Sequence, residues 1–171
     1  LTLVLSVTAL LSLRSLKRDF DIVVNGTARK IVLAMTIDNI QSDMVAAQRL
    51  VVAGSGLKKS DQVDEGIRVF RAAGSAAQTT LAELVSLTVT VEGKSDVELI
   101  ASQFRAWQRA FEELSKAAQA GDALLADRIR DEKATPIFKV IEEAVARLVI
   151  QQTEMLKINQ QTVQGLYERN C

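Results

Sequence analysis

In a chain of 171 residues with one proline and eight glycines, turn-forming punctuation falls at only three places. This constrains the fold more than any other feature. Gly54-Ser55-Gly56 closes a first run, Glu92-Gly93-Lys94 follows the β-branched stretch Thr88 to Val91 and closes a second, and Gly121 closes a third. After each break stands a residue suited to accept the unpaired N–H groups that begin a helix: Ser60-Asp61, the capping box Ser95-Asp96-Val97-Glu98, and Asp122. The pattern predicts four helical runs near residues 3–53, 60–90, 95–120 and 122–169. Thr88 to Val91 alternates like a strand, but so short a strand has no partner to make it stable.

Periodicity supports the same division. Val63, Ile67, Phe70, Gly74, Ala77, Leu81 and Leu84 recur at helical spacing, as do Ile100, Phe104, Trp107, Phe111 and Leu114. In the last run Ile137, Ile141, Ala144, Leu148, Gln151, Met155 and Ile158 share one phase, whereas Leu125 and Ile129, before Pro136, follow another. Pro136 therefore marks a kink or a change of register. The expected fold is an all-α, antiparallel up-down-up-down four-helix bundle with long first and last helices. At the helical rise the first run beyond Leu13 reaches roughly 60 Å and the last roughly 70 Å, the inner two roughly 45 and 40 Å.

Composition narrows the chemistry. The 21 basic residues balance 21 acidic ones, so no global field exists to hold nucleic acid. Histidine is absent and the lone cysteine is Cys171, which removes the commonest general base, the commonest metal ligand and any internal disulfide. Glu112-Glu113, Asp131-Glu132 and Glu142-Glu143 are adjacent pairs on diverging helix angles and read as solvated charge rather than as a catalytic pair. Asn25-Gly26-Thr27 fits a glycosylation acceptor by chance, and Gly54-Ser55-Gly56 lacks the context of a phosphate loop. The expectation is a non-enzyme without metal or cofactor.

The chain opens on a nearly uncharged apolar stretch, Leu1 to Leu13, followed at once by Arg14, Lys17 and Arg18. It is too short for a whole spanning helix, and its charges stand on the wrong side for a secretory signal. Residues 1–13 read as the outer end of a transmembrane helix that continues into a water-soluble domain over 14–171, with a buried first core helix as the alternative.

Three stretches then carry a family resemblance: Ile37 to Val52, with an arginine ahead of three apolar residues; Gly121-Asp122 opening the last helix; and Thr135 to Gln152, with proline, Ala144 and Leu148 ahead of a glutamine pair. In architecture the chain resembles the four-helix-bundle sensory domain of bacterial methyl-accepting chemotaxis receptors. The resemblance implies a periplasmic domain between two transmembrane helices of the inner membrane, dimeric, in which a small ligand shifts the last helix and so controls a cytoplasmic kinase. The sensor domain of a membrane histidine kinase and a purely structural helical interaction domain are the alternatives.

Opposite the apolar stripe Leu33, Ile37, Ile40, Met44, Ala47 and Val51, the first helix carries a small polar face of Asn39, Ser42, Ala46 and Arg49. That face suits a homodimer contact, and Arg49 there suits a carboxylate. By resemblance Arg49 matches one arginine of an amino-acid site shared across the receptor dimer; the positions of two further arginines hold Val45 and Ile40. Asn39, Ser42, Arg49 and Thr135, the last beside Pro136, form the primary candidate site for a small organic acid. Thr80, Arg105 and Arg109, brought level by the turn between the second and third runs, form the alternative.

Overall fold

A computed structural model describes the backbone of residues 2–169 and the side-chain environments of residues 26–158 and 161. Five α-helices follow one another: α1 (Thr2–Gly56), α2 (Ser60–Leu87), α3 (Val91–Gln119), α4 (Ala123–Ile129) and α5 (Thr135–Arg169). A π-helical turn over Arg130–Ala134 joins α4 to α5, so these pieces make one fourth helix of a four-helix bundle. α1 packs on α2 and α5, and α3 packs on α2 and on the fourth helix, which closes the ring. The chain is all-helical with no strand among the described residues, and the first and last helices are the longest.

The inward faces predicted for α1, α2 and α3 are buried throughout, from Leu33, Ile37 and Met44 through Phe70 and Leu84 to Ile100 and Trp107. Each fully buried leucine or isoleucine stabilises the bundle by roughly 1.5–3 kcal/mol. At the centre Phe70 stacks on Phe111 with ring centroids 3.5 Å apart and meets the edge of Trp107 at 5.7 Å.

Helix ends differ from expectation in three places, each for a local reason. Gly54-Ser55-Gly56 does not break α1; the turn is Leu57-Lys58-Lys59, with Lys58 at φ 56°. Gly54 is instead a packing residue, since a Cβ there would stand 3.0 Å from the Val63 nitrogen of α2. The N-cap of α2 is Lys59, which makes no side-chain capping bond, and Ser60 already lies inside the helix. α3 begins at Val91 rather than at the Ser95 box, because the Thr90 hydroxyl accepts the Gly93 N–H at 3.2 Å. Gly93 is helical and close-packed, a Cβ there meeting Thr90 Oγ1 at 2.7 Å. The third break is as read: Gly121 adopts φ +80°, and the Asp122 carboxylate accepts the Leu125 N–H at 2.9 Å.

The register change at Pro136 takes the form of the π turn. Thr135 N–H bonds back five residues to the Arg130 carbonyl. The buried positions accordingly step by five, from Ile129 to Ala134, before helical spacing resumes at Ile141, Val145 and Leu148. Pro136 has no N–H to rebuild a normal turn there. The inward phase predicted for α5 holds through Ile141, Ala144 and Leu148, all buried, and departs from expectation only beyond them, where Gln152 is buried, Gln151 is half-buried and Ile158 is 60 % exposed.

No helix is long and apolar enough to cross a membrane among the described residues. The apolar opening and its basic flank, together with Asn25 and Cys171, lie outside the residues whose side chains are described.

Candidate functional site

The inward stripe of α1 is more polar than its apolar members suggested. Interleaved with them, Thr27, Lys30, Gln41, Gln48 and Ser55 are buried on the same side. Gln48 shows why: its Oε1 accepts the Trp107 indole N–H at 2.8 Å, an otherwise unpaired donor in a core where the tryptophan is 1 % exposed. Gln41 reaches the other way, donating from Nε2 to the Phe138 carbonyl of α5 at 3.1 Å. These bonds tie α1 to α3 across the bundle and to α5 beside it, at the level of the π turn.

Beside them lies a cleft of about 400 Å³ between α1, α3 and the π turn. Val45, Gln48 and Arg49 line it from α1, Trp107 from α3, and Arg130, Asp131, Ala134, Thr135 and Phe138 from the fourth helix. The wider π turn brings Arg130, Asp131, Ala134 and Thr135 onto one side, and π turns recur at functional sites for this reason. Trp107 and Phe138, whose rings meet edge-on at 6.2 Å, supply an apolar floor.

The polar groups of the cleft are unequally committed. Arg130 is held by Asp127 at 2.8 Å and by Asp131 at 2.9 Å, so its charge is already balanced. Arg49 makes no hydrogen bond or ion pair among the described residues, and it is exposed at the mouth. Thr36, Thr79, Thr80, Thr88 and Thr153 each donate their hydroxyl to the carbonyl four residues earlier. Thr135 makes no such bond, since the π turn displaces the carbonyl that would accept it. A guanidinium and a hydroxyl, both with donors unspent, therefore face one small cleft with an aromatic floor. That set suits an oxygen-rich anion of modest size.

Two members of the primary sequence-predicted set, Arg49 and Thr135, are thus brought together within one subunit. Asn39 and Ser42 are exposed further along α1 and do not line the cleft. The alternative set is dispersed: Thr80 spends its hydroxyl on Ala76, Arg105 lines a shallow groove with Val85, Ser95 and Leu99, and Arg109 is exposed elsewhere on α3. Sequence reasoning missed Gln48, Arg130, Asp131 and Phe138. The phase change at Pro136 pointed to the segment, but only the π turn decides which of its side chains face inward. Among the described residues no group of three His, Cys, Asp or Glu side chains could hold a metal ion. No protein-family model, curated protein or solved structure matches the chain.

Proposed function

We propose that this domain is the extracytoplasmic ligand-sensing part of a transmembrane chemotaxis receptor and that the cleft beneath Arg49 takes a small organic acid. One observation carries the reading: the first and last helices meet at a cleft where Arg49 and Thr135 keep unspent donors and the last helix makes a π turn. A carboxylate bridging Arg49 and Thr135 bears directly on the hydrogen-bonding of that turn. The ligand thereby acts on α5, the helix that leads out of the domain. The role is recognition rather than catalysis, and it needs no cofactor.

A homodimer through α1 belongs to the same reading. Val32 and Met35, 51 % and 58 % exposed, continue the outer face of Asn39, Ser42, Ala46 and Arg49 at steps of three and four. That spacing is a coiled-coil seam. Arg49 lies where this seam meets the cleft, so a partner's α1 would desolvate the guanidinium and strengthen its grip on an anion.

A thermal-shift screen of the domain against acetate, malate, citrate, glutamate and benzoate tests the proposal. A ligand at a hundred times its Kd stabilises by roughly 2.7 kcal/mol, which at this chain length raises Tm by several degrees. If none of the acids moves Tm at millimolar concentration, the reading fails and a structural helical domain is preferred.

A further inference from the structure

The π turn walls two clefts rather than one. Arg130, Asp131, Ala134 and Thr135 face the Arg49 cleft, whereas Glu132 and Lys133 face a second groove, of about 540 Å³, between α3 and the fourth helix. That volume lies within the range of small-molecule sites. The floor of the groove is aliphatic: Ala117 of α3 and Ile129 of α4 are buried, and Leu125 beside them is left 41 % exposed. The ion pair of Lys133 with Glu113 joins the two helices at the end of the groove farther from the Gly121 turn.

The rim decides which occupant such a floor can hold. Lys116 of α3 and Arg128 of α4 both line the groove, and neither side chain makes a hydrogen bond or ion pair among the described residues. Of the two carboxylates there, Glu113 is already spent on Lys133, which leaves Glu132 as the single acid facing two free cations. The groove thus carries a net positive charge and suits one anionic group. Its lining holds no hydroxyl, amide or aromatic ring, unlike the Arg49 cleft with Gln48, Trp107, Thr135 and Phe138. Sugar hydroxyls would find no neutral partner in it, and a second carboxylate would stand against Glu132. What remains is a molecule with one carboxylate and an aliphatic body, whose chain covers Leu125 while its head meets the arginine fork.

We infer that this groove is a second ligand site, for a medium-chain aliphatic monocarboxylate, with the carboxylate on Arg128 and Lys116 and the methylenes over Ala117, Leu125 and Ile129. The site stands whether or not the Arg49 cleft binds an acid. Calorimetric titration of octanoate, below micelle-forming concentrations, tests it on the whole chain. Octanoate binds, and affinity rises from butanoate through hexanoate to octanoate by up to about fourfold for each methylene the floor covers. Octan-1-ol, with the same chain and no charge, binds about tenfold more weakly or not at all. Arg128→Gln combined with Lys116→Gln weakens octanoate by about tenfold. Its Tm without ligand is unchanged, because both side chains are exposed and hold nothing else in the fold. Arg49→Ala binds octanoate like the unsubstituted chain. The inference is overturned if octanoate gives no binding at millimolar concentration, if octan-1-ol binds as tightly, or if the double substitution leaves affinity undiminished. Loss of octanoate binding in Arg49→Ala overturns it as well, since the acid then occupies the other cleft.

Discussion

Replacing Gln48 with leucine and Trp107 with phenylalanine should each destabilise the bundle, and the two losses should not add. The pair is buried, and the indole N–H donates to Gln48 Oε1 at 2.8 Å. Gln48→Leu leaves that donor without an acceptor in the core, at a loss of about 1–3 kcal/mol. Trp107→Phe strands the glutamine oxygen for a similar loss and also gives up part of the ring packing against Phe70 and Phe138. That packing term is smaller than the roughly 3–5 kcal/mol of truncation to alanine. In the double substitution no polar group is stranded, so the sum of the single losses exceeds the double by both stranding losses, about 2–6 kcal/mol. Urea unfolding followed by far-UV circular dichroism measures all four corners of the cycle, since the substitution removes the only tryptophan fluorophore. Additivity within about 0.5 kcal/mol would show that the bond contributes nothing specific.

Gly66→Ala should be destabilising by more than the helix propensity it gains, because its Cβ would stand 2.8 Å from the Ala47 carbonyl oxygen of α1; a Tm equal to or above that of the unsubstituted chain refutes the close approach. Asp122→Ala should cost about 0.5–2 kcal/mol by removing the cap bond to Leu125, seen as a lower urea midpoint at unchanged slope. Burial holds the Lys30 ammonium below the ordinary lysine value of 10.5. Its penalty is thus full at low pH and is relieved as pH rises toward that value, so Lys30→Met should raise Tm at neutral pH by an amount that shrinks with rising alkalinity. At that end of the bundle Glu83 is already paired with Arg29, which holds its carboxyl below the ordinary glutamate value, so it stays charged over this range. A Tm advantage independent of pH would mean that burial does not penalise the charge.

The inward apolar faces were legible in the sequence because apolar residues at helical spacing form one stripe along a helix, and that stripe is the face that packs inward. Helix ends were less so. Gly54 and Gly93 look like breaks but are needed where a Cβ has no room, and distinguishing a turn glycine from a packing glycine requires the partner helix. The buried polar residues were illegible for a related reason. Gln48 and Gln152 read as surface residues until their layer partners are known, and one turn beyond Leu148 the buried position is Gln152 rather than the half-buried Gln151. Arg49 and Thr135 were each legible, one as a cation on a small polar face and the other as a hydroxyl beside the only proline. Their meeting in one cleft was not, since it depends on the register between α1 and the fourth helix.

Calorimetric titration of whichever organic acid raises Tm, into the unsubstituted domain and into Arg49→Ala, Arg105→Ala and Arg109→Ala, tests the central claim most directly. Arg49→Ala should lose a charge-assisted hydrogen bond of roughly 1.5–3 kcal/mol, hence about ten- to a hundredfold in affinity. Its Tm without ligand should scarcely change, because Arg49 is exposed and makes no ion pair among the described residues. Arg105→Ala and Arg109→Ala should bind like the unsubstituted domain. Undiminished affinity in Arg49→Ala, or its loss in either of the other two, would contradict the assignment of the cleft.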